Sequence, residues 1–181
     1  LGDAGIPLYF LTGNHDPYVA WQAAFAEMPS NADLFSAEKP SFTVYERDGR
    51  ALALLGGRGY YNSVVSDSLD IAEGITREAA VHACGTEAPF AVGVLHTGLH
   101  LDSTKAPAQP DQLLRSGFDY WALGHVQRRY VDNPNNPHLV FPGNIQGRDI
   151  HEQGARGCYE VTLTEGMPNR IEFVPLASIA W

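Results

Sequence analysis

An α/β fold is predicted by three features of the sequence. Three short apolar runs, at residues 8–11, 90–95 and 118–123, are rich in strand formers, and each stops at a polar step with histidine close to glycine. Segments of helical periodicity lie between them, and strand-like segments dominate the last third of the chain. Buried runs that hand polar side chains to their carboxyl ends are how open α/β sheets build their sites.

Residues 1–7 read as the end of a helix, with glycine at its exit and Pro7 blocking continuation. Gly2-Asp3 is not read as a metal motif, because no buried strand precedes it and no helix separates it from Gly13. The first strand then delivers Gly13-Asn14-His15-Asp16. Residues 19–28 form a short helix with Trp21 and Phe25 on one face at i, i+4 spacing, closed by Pro29-Ser30-Asn31. Strands at 41–46 and 51–55 flank Asp48-Gly49, a strong hairpin signal. Gly56-Gly57-Arg58-Gly59 and Tyr60-Tyr61-Asn62 read as an irregular, flexible surface loop, since no helix with a phosphate-binding lysine follows the glycines.

Residues 75–84 are an amphipathic helix with Thr76 as its cap. The second apolar run carries His96-Thr97-Gly98, and residues 100–109 form a polar, proline-containing loop beside it. Residues 110–116 make a short helix with Asp111 at its start, and Gly117 opens the third run, which ends in Gly124-His125-Val126-Gln127. Strands at 128–132 and 138–141 are joined by the turn-rich Asn133-Pro134-Asn135-Asn136-Pro137. Residues 157–163 and 170–175 close the chain as an antiparallel pair. No repeat, low-complexity segment or linker interrupts the 181 residues, which are expected to form one domain.

With 44% hydrophobic residues the chain can bury a core, yet it contains no run of about 18 apolar residues that would span a membrane. It opens without Met and without a charged segment leading into an apolar one, so no secretory leader is expected. Cys84 and Cys158 are too few for a disulfide framework and read as core thiols of a cytoplasmic protein. A formal net charge of −9 argues against grip on nucleic acid by bulk electrostatics. It leaves room for a nuclease whose metals and local arginines supply the positive field.

The polar strand ends carry the chemistry. Asn14 offers a carbonyl oxygen and His15 a ring nitrogen; both can bind a metal, and the imidazole can also move a proton. A polar turn after a strand accounts for this loop alone equally well. Three strand-end histidines are harder to explain by packing, because a buried imidazole needs a partner.

The ordered set Gly13-Asn14-His15-Asp16, strand-His96 and Gly124-His125 resembles the later signature motifs of the calcineurin-like metallophosphoesterases. The stretch from Phe118 to His125 with Arg128-Arg129, then Val140-Phe141-Pro142-Gly143-Asn144-Ile145-Gln146-Gly147-Arg148 and Gly157-Cys158-Tyr159, is similar to the bacterial DNA-repair exonucleases of the SbcD/YhaO type. The resemblance covers nearly the whole chain.

It implies a four-layer sandwich of two mixed β-sheets flanked by helices, and metal-dependent phosphodiester hydrolysis as an exonuclease or endonuclease in DNA repair. It also implies two divalent metal ions, Mn²⁺ first, which suits mixed carboxylate, amide and imidazole donors. The implied partners are DNA, an SbcC/YhaN-like coiled-coil ATPase and a second copy of the chain. By motif, Asn14, His96 and His125 would hold one metal. His15 would face the phosphate and protonate the leaving oxygen, and Asp16 would either orient His15 or cap the following helix. Gln127 stands where the family places a second histidine for the other metal, and an amide is the weaker ligand. Arg148 is the arginine expected to meet a DNA phosphate. The family's Asp-x-His and bridging-Asp motifs are not among these residues, so the stretch is read as the C-terminal part of one catalytic domain, incomplete at the N-terminus and inactive alone. The rival expectations are a non-catalytic scaffold on this fold and a nucleotide or small-molecule phosphodiesterase.

Overall fold

The computed structural model describes residues 2–25, 27–66, 69–102 and 106–180. The chain-end residues Leu1 and Trp181 of the expected domain, Ala26 of the expected 19–28 helix and residues 103–105 of the expected 100–109 loop lie outside them.

The chain is α/β with mixed sheets. Strand β1 (Leu8–Phe10) leads through helix α1 (Tyr18–Phe25) to β2 (Ala32–Leu34), and the two strands pair in parallel. Strands β3 (Ser41–Arg47) and β4 (Arg50–Arg58) form the expected hairpin, with Asp48 and Gly49 both at positive φ in its turn. Helix α2 (Arg77–Cys84) crosses to β5 (Phe90–Thr97), and α3 (Pro110–Arg115) crosses to β6 (Tyr120–His125). Strands β7 (Tyr130–Val131) and β8 (Leu139–Phe141) follow, then the antiparallel pair β9 (Gly157–Thr162) and β10 (Arg170–Pro175). The central sheet has the order β3-β4-β5-β6-β8-β7. Its middle pairings, β4–β5, β5–β6 and β6–β8, are parallel, and both edges are antiparallel. Parallel strands need crossovers, which α2 supplies for β4–β5 and α3 for β5–β6.

The core forms where α2, α3 and the segments leading into them cover this sheet. Leu54, Ile71, Ile75, Leu95, Leu113 and Trp121 are sealed from solvent. Trp121 is oriented by donating its indole N–H to the Leu113 carbonyl at 3.1 Å, and its ring lies flat on Gly93 of β5, where a methyl group would sit 2.2 Å from the ring. Helix α2 starts and stops as its sequence demands. Thr76 accepts a hydrogen bond from the Ala79 N–H at 3.1 Å, and Gly85 ends the helix in the left-handed region. Thr76→Ala is expected to cost about 1 kcal/mol of folding free energy, readable as a lower denaturant midpoint at constant slope.

Two expectations are corrected. Gly56, Gly57 and Arg58 are not loop but the end of β4, paired with β5. Glycine is needed there because neighbours come close: a side chain at Gly56 would meet Phe42 and Phe118, and one at Gly57 the Val94 carbonyl and Phe35. Gly59 and Tyr60 beyond it are buried rather than flexible surface. Strand β1 is only half-buried, and α1 buries no residue; Trp21 is 50% exposed, while Phe25 packs on Phe10 and Tyr18. The two cysteines are free and half-buried. No helix among the described residues is long and apolar enough to cross a membrane.

Candidate functional site

Register brings two of the three strand-end histidines together. In the parallel pair β5–β6, His96 lies opposite Gly124 and Thr97 opposite His125. Alternation from this register alone would set the two side chains on opposite faces; His125 leaves the extended region at φ 98°, and at the carboxyl end of these central strands the imidazole centroids lie 5.2 Å apart with their planes at 67°. Glycine on both sides makes room for His96: a side chain on Gly13 would approach its ring to 2.7 Å, and one on Gly124 to 3.2 Å.

The loop after β1 is stitched onto this end. Buried Thr12 donates its hydroxyl to the Tyr60 carbonyl at 2.7 Å, and the Tyr60 N–H returns to the Thr12 carbonyl at 3.0 Å. The Tyr18 N–H binds the same Tyr60 carbonyl, so α1 starts from the residues that follow β4. Gly59 allows this contact, since any side chain there would strike Thr12. Asn14 is thereby set with its amide oxygen 2.8 Å from His96 Nε2. Asn14, His96 and His125, which are 82 and 29 residues apart along the chain, meet at one rim.

Burial, then the neighbouring His125, drives the His96 pKa down to about 4; Asp16 opposes this and His15 adds to it. At neutral pH the ring is uncharged, the form that ligates a metal. Two donors about 2.1 Å from a shared cation and at right angles lie about 3 Å apart, close to the observed Asn14–His96 separation. Tyr60 stands edge-on to His96 with ring centroids 5.2 Å apart. Its hydroxyl is buried and finds no hydrogen-bond partner among the described residues. Burial and then the Asp102 charge push its pKa up to about 12, so it remains a donor. A buried donor without a partner among the described residues, on a ring packed edge-on against His96, fits a site meant to take a further group. Among the described residues no set of three or more His, Cys, Asp and Glu side chains is arranged to hold a metal. The donors present thus fit part of one cation's shell, a mixed set of amide and imidazoles.

His125 is a non-glycine residue at φ 98°, a backbone state that persists only where surroundings enforce it. Its Nε2 lies 2.9 Å from Asp102 Oδ2. Sequence reasoning missed Asp102; the one signal was an acid six residues past His96 in the loop beside the site.

The remaining sequence candidates lie on the outer side. His15 is exposed and near enough to His96 for its charge to be felt. Asp16 Oδ1 accepts the Gly13 N–H at 3.0 Å, closing the loop on itself. Gln127 is exposed, and its amide oxygen accepts from Arg148 at 2.7 Å. Arg148 also pairs with Glu152 at 3.3 Å, and its backbone N–H is the main reason the Glu152 carboxyl is held below the usual range. Arg156 donates to the Gln127 carbonyl. Arg128, Arg129 and Arg156 line an open cleft of about 420 Å³. The Arg129 guanidinium lies over the Phe173 ring, 4.2 Å from its centroid.

No protein-family model matches the chain. Over 169 residues, 92% of its length, the chain is 34% identical to a curated protein of Bacillus subtilis (strain 168) named "Uncharacterized metallophosphoesterase YhaO". The chain spans about two fifths of the length of that relative, 39%.

Proposed function

From this likeness, which supports the metallophosphoesterase family for the chain, we propose that it forms part of a catalytic domain for metal-dependent phosphodiester hydrolysis. The observation that carries the proposal is the meeting of Asn14, His96 and His125 at one end of the sheet. These three would hold a divalent cation, Mn²⁺ first by donor chemistry. When bound, such a cation acidifies water and takes up charge on the phosphate oxygens. The chain's own residues do the rest. Asn14 and the neutral His96 ring supply donors without bringing negative charge to an anionic substrate. Exposed His15 protonates the leaving oxygen, and the Asp16–Gly13 hydrogen bond keeps its loop closed. Tyr60, edge-on to His96, packs that ring in place.

The substrate we propose is a DNA end. The cleft lined by Arg128, Arg129 and Arg156 offers guanidinium groups for a phosphate backbone, and Arg148 would join them by exchanging Gln127 for phosphate. The complete protein would carry the four-layer sandwich and the second cation. It would act in the cytoplasm in DNA repair, as a homodimer with a coiled-coil ATPase of the SbcC/YhaN type. Mn²⁺ titration and assays on linear duplex DNA against a chromogenic phosphodiester test this reading. Metal-dependent cleavage of the duplex is expected; hydrolysis of the chromogenic ester alone would move the substrate to small molecules.

A second reading, a non-catalytic scaffold, is favoured by one observation. Gln127, at the position where a second metal would need a histidine, has its amide oxygen engaged by Arg148. On that reading the whole protein lacks the second cation, and Gln127→His is expected to raise the number of tightly bound Mn²⁺ ions by one, measured by calorimetric titration. No metal bound by either form would leave the scaffold reading standing.

A further inference from the structure

We propose that Asp102 is a positioning residue for His125: its carboxylate holds Nε2–H and so presents Nδ1 to the cation shared with Asn14 and His96. This rests on the metal-site reading above. An imidazole has two ring nitrogens, and a carboxylate on one fixes both the tautomer and the ring plane at the other.

The loop that carries Asp102 is built for that contact. After β5 the chain turns at Gly98, whose carbonyl accepts the N–H groups of Leu101 at 3.0 Å and Asp102 at 2.9 Å. Only glycine fits at the start of this turn, because a side chain on Gly98 would lie 1.8 Å from the Asp102 carbonyl oxygen. Leu99 is buried at φ 47°, and its N–H is held by the Thr97 hydroxyl at 3.2 Å. That hydroxyl, fully buried, is itself tied to the Ala106 carbonyl at 2.7 Å. Non-glycine residues in the left-handed region thus stand on both sides of a single hydrogen bond, Leu99 before Asp102 and His125 opposite it. Backbone strain of this kind is retained where a geometry is being enforced. Stability alone is a poor reason for it. The Asp102 side chain is 37% exposed against 14% for His125, and a pair open to water on one side contributes little to folding.

The test uses Asp102→Ala and Asp102→Asn in the 181-residue chain and in the whole protein. Imidazole ¹⁵N spectra of the metal-free chain are expected to show His125 as a single Nε2–H tautomer. Asp102→Ala should give a tautomer mixture, whereas Asp102→Asn, which keeps a carbonyl acceptor, should restore the single form. Mn²⁺ affinity by calorimetry is expected to fall about 10–100-fold in Asp102→Ala and less in Asp102→Asn. An unchanged His125 tautomer in Asp102→Ala overturns the proposal. So does loss of a whole equivalent of bound metal in both variants, which would make Asp102 a ligand itself. Absence of Mn²⁺ binding in the wild type would instead remove the metal-site reading, while the tautomer spectra still decide whether Asp102 orients His125.

Discussion

Replacing His15 with alanine is expected to lower phosphodiester turnover by the whole protein about 10²–10⁴-fold while leaving Mn²⁺ affinity unchanged. The separation follows from where the side chains lie. Asn14, one residue earlier, points its amide oxygen at His96, 2.8 Å away. His15 is exposed on the same turn, where a substrate arriving from solvent would meet it. It is still close enough to His96 to disfavour a second positive charge there. A group in that position can supply a proton to a departing oxygen without belonging to the cation's shell. Losing it removes one proton transfer from the transition state, and the donors behind it stay in place. The experiment pairs single-turnover kinetics on duplex DNA ends with calorimetric Mn²⁺ titration of His15→Ala and His15→Asn. Turnover within about threefold of wild type in His15→Ala would remove the proton-donor role. A matching fall in metal affinity would make His15 a ligand.

The parts of this fold that could be read from sequence are those where local chemistry and tertiary demand coincide. Asp48-Gly49 set the hairpin, Thr76 and Gly85 bracket α2, and the apolar runs before His96 and His125 are the parallel centre of the sheet. Gly56-Gly57-Arg58 misled because glycine in a strand is legible only once its neighbours are known. Phe42, Phe35 and Phe118 are the reason for it, and all three are distant in sequence. Ala32–Leu34 was missed as a strand because three residues carry no alternation to read, and its pairing with β1 is what makes it one. At the site, each strand end named its own donor. Asp102 did not, because its partner lies 23 residues on, and what joins them is the register of β5 against β6. The Tyr60 hydroxyl, without a partner among the described residues, was hidden for the same reason, inside a segment that reads as a surface loop.

Acidifying the metal-free protein is expected to destabilise it by about 2–3 kcal/mol between pH 6.5 and pH 4 through His96 alone. In the unfolded chain this imidazole titrates near its ordinary 6.5; in the fold, burial first and then the charge of His125 bring it down to about 4. Between those values the unfolded state binds a proton that the folded state refuses, so unfolding gains free energy as pH falls. The contribution is fully present above pH 6.5, fades through the window and is gone below 4. The fall from 6.5 to about 4 corresponds to about 3–4 kcal/mol at most, and the partial exposure of the ring reduces it. Asp16 opposes the effect, since its charge favours the protonated His96 ring. Denaturant melts in chelator at half-unit pH steps measure it. His96→Asn, which cannot take up the proton, should flatten the profile across this window. An equally steep profile in that variant would locate the acid sensitivity elsewhere, and the His96 ring would then be more open to water than its seat between Gly13 and Gly124 implies.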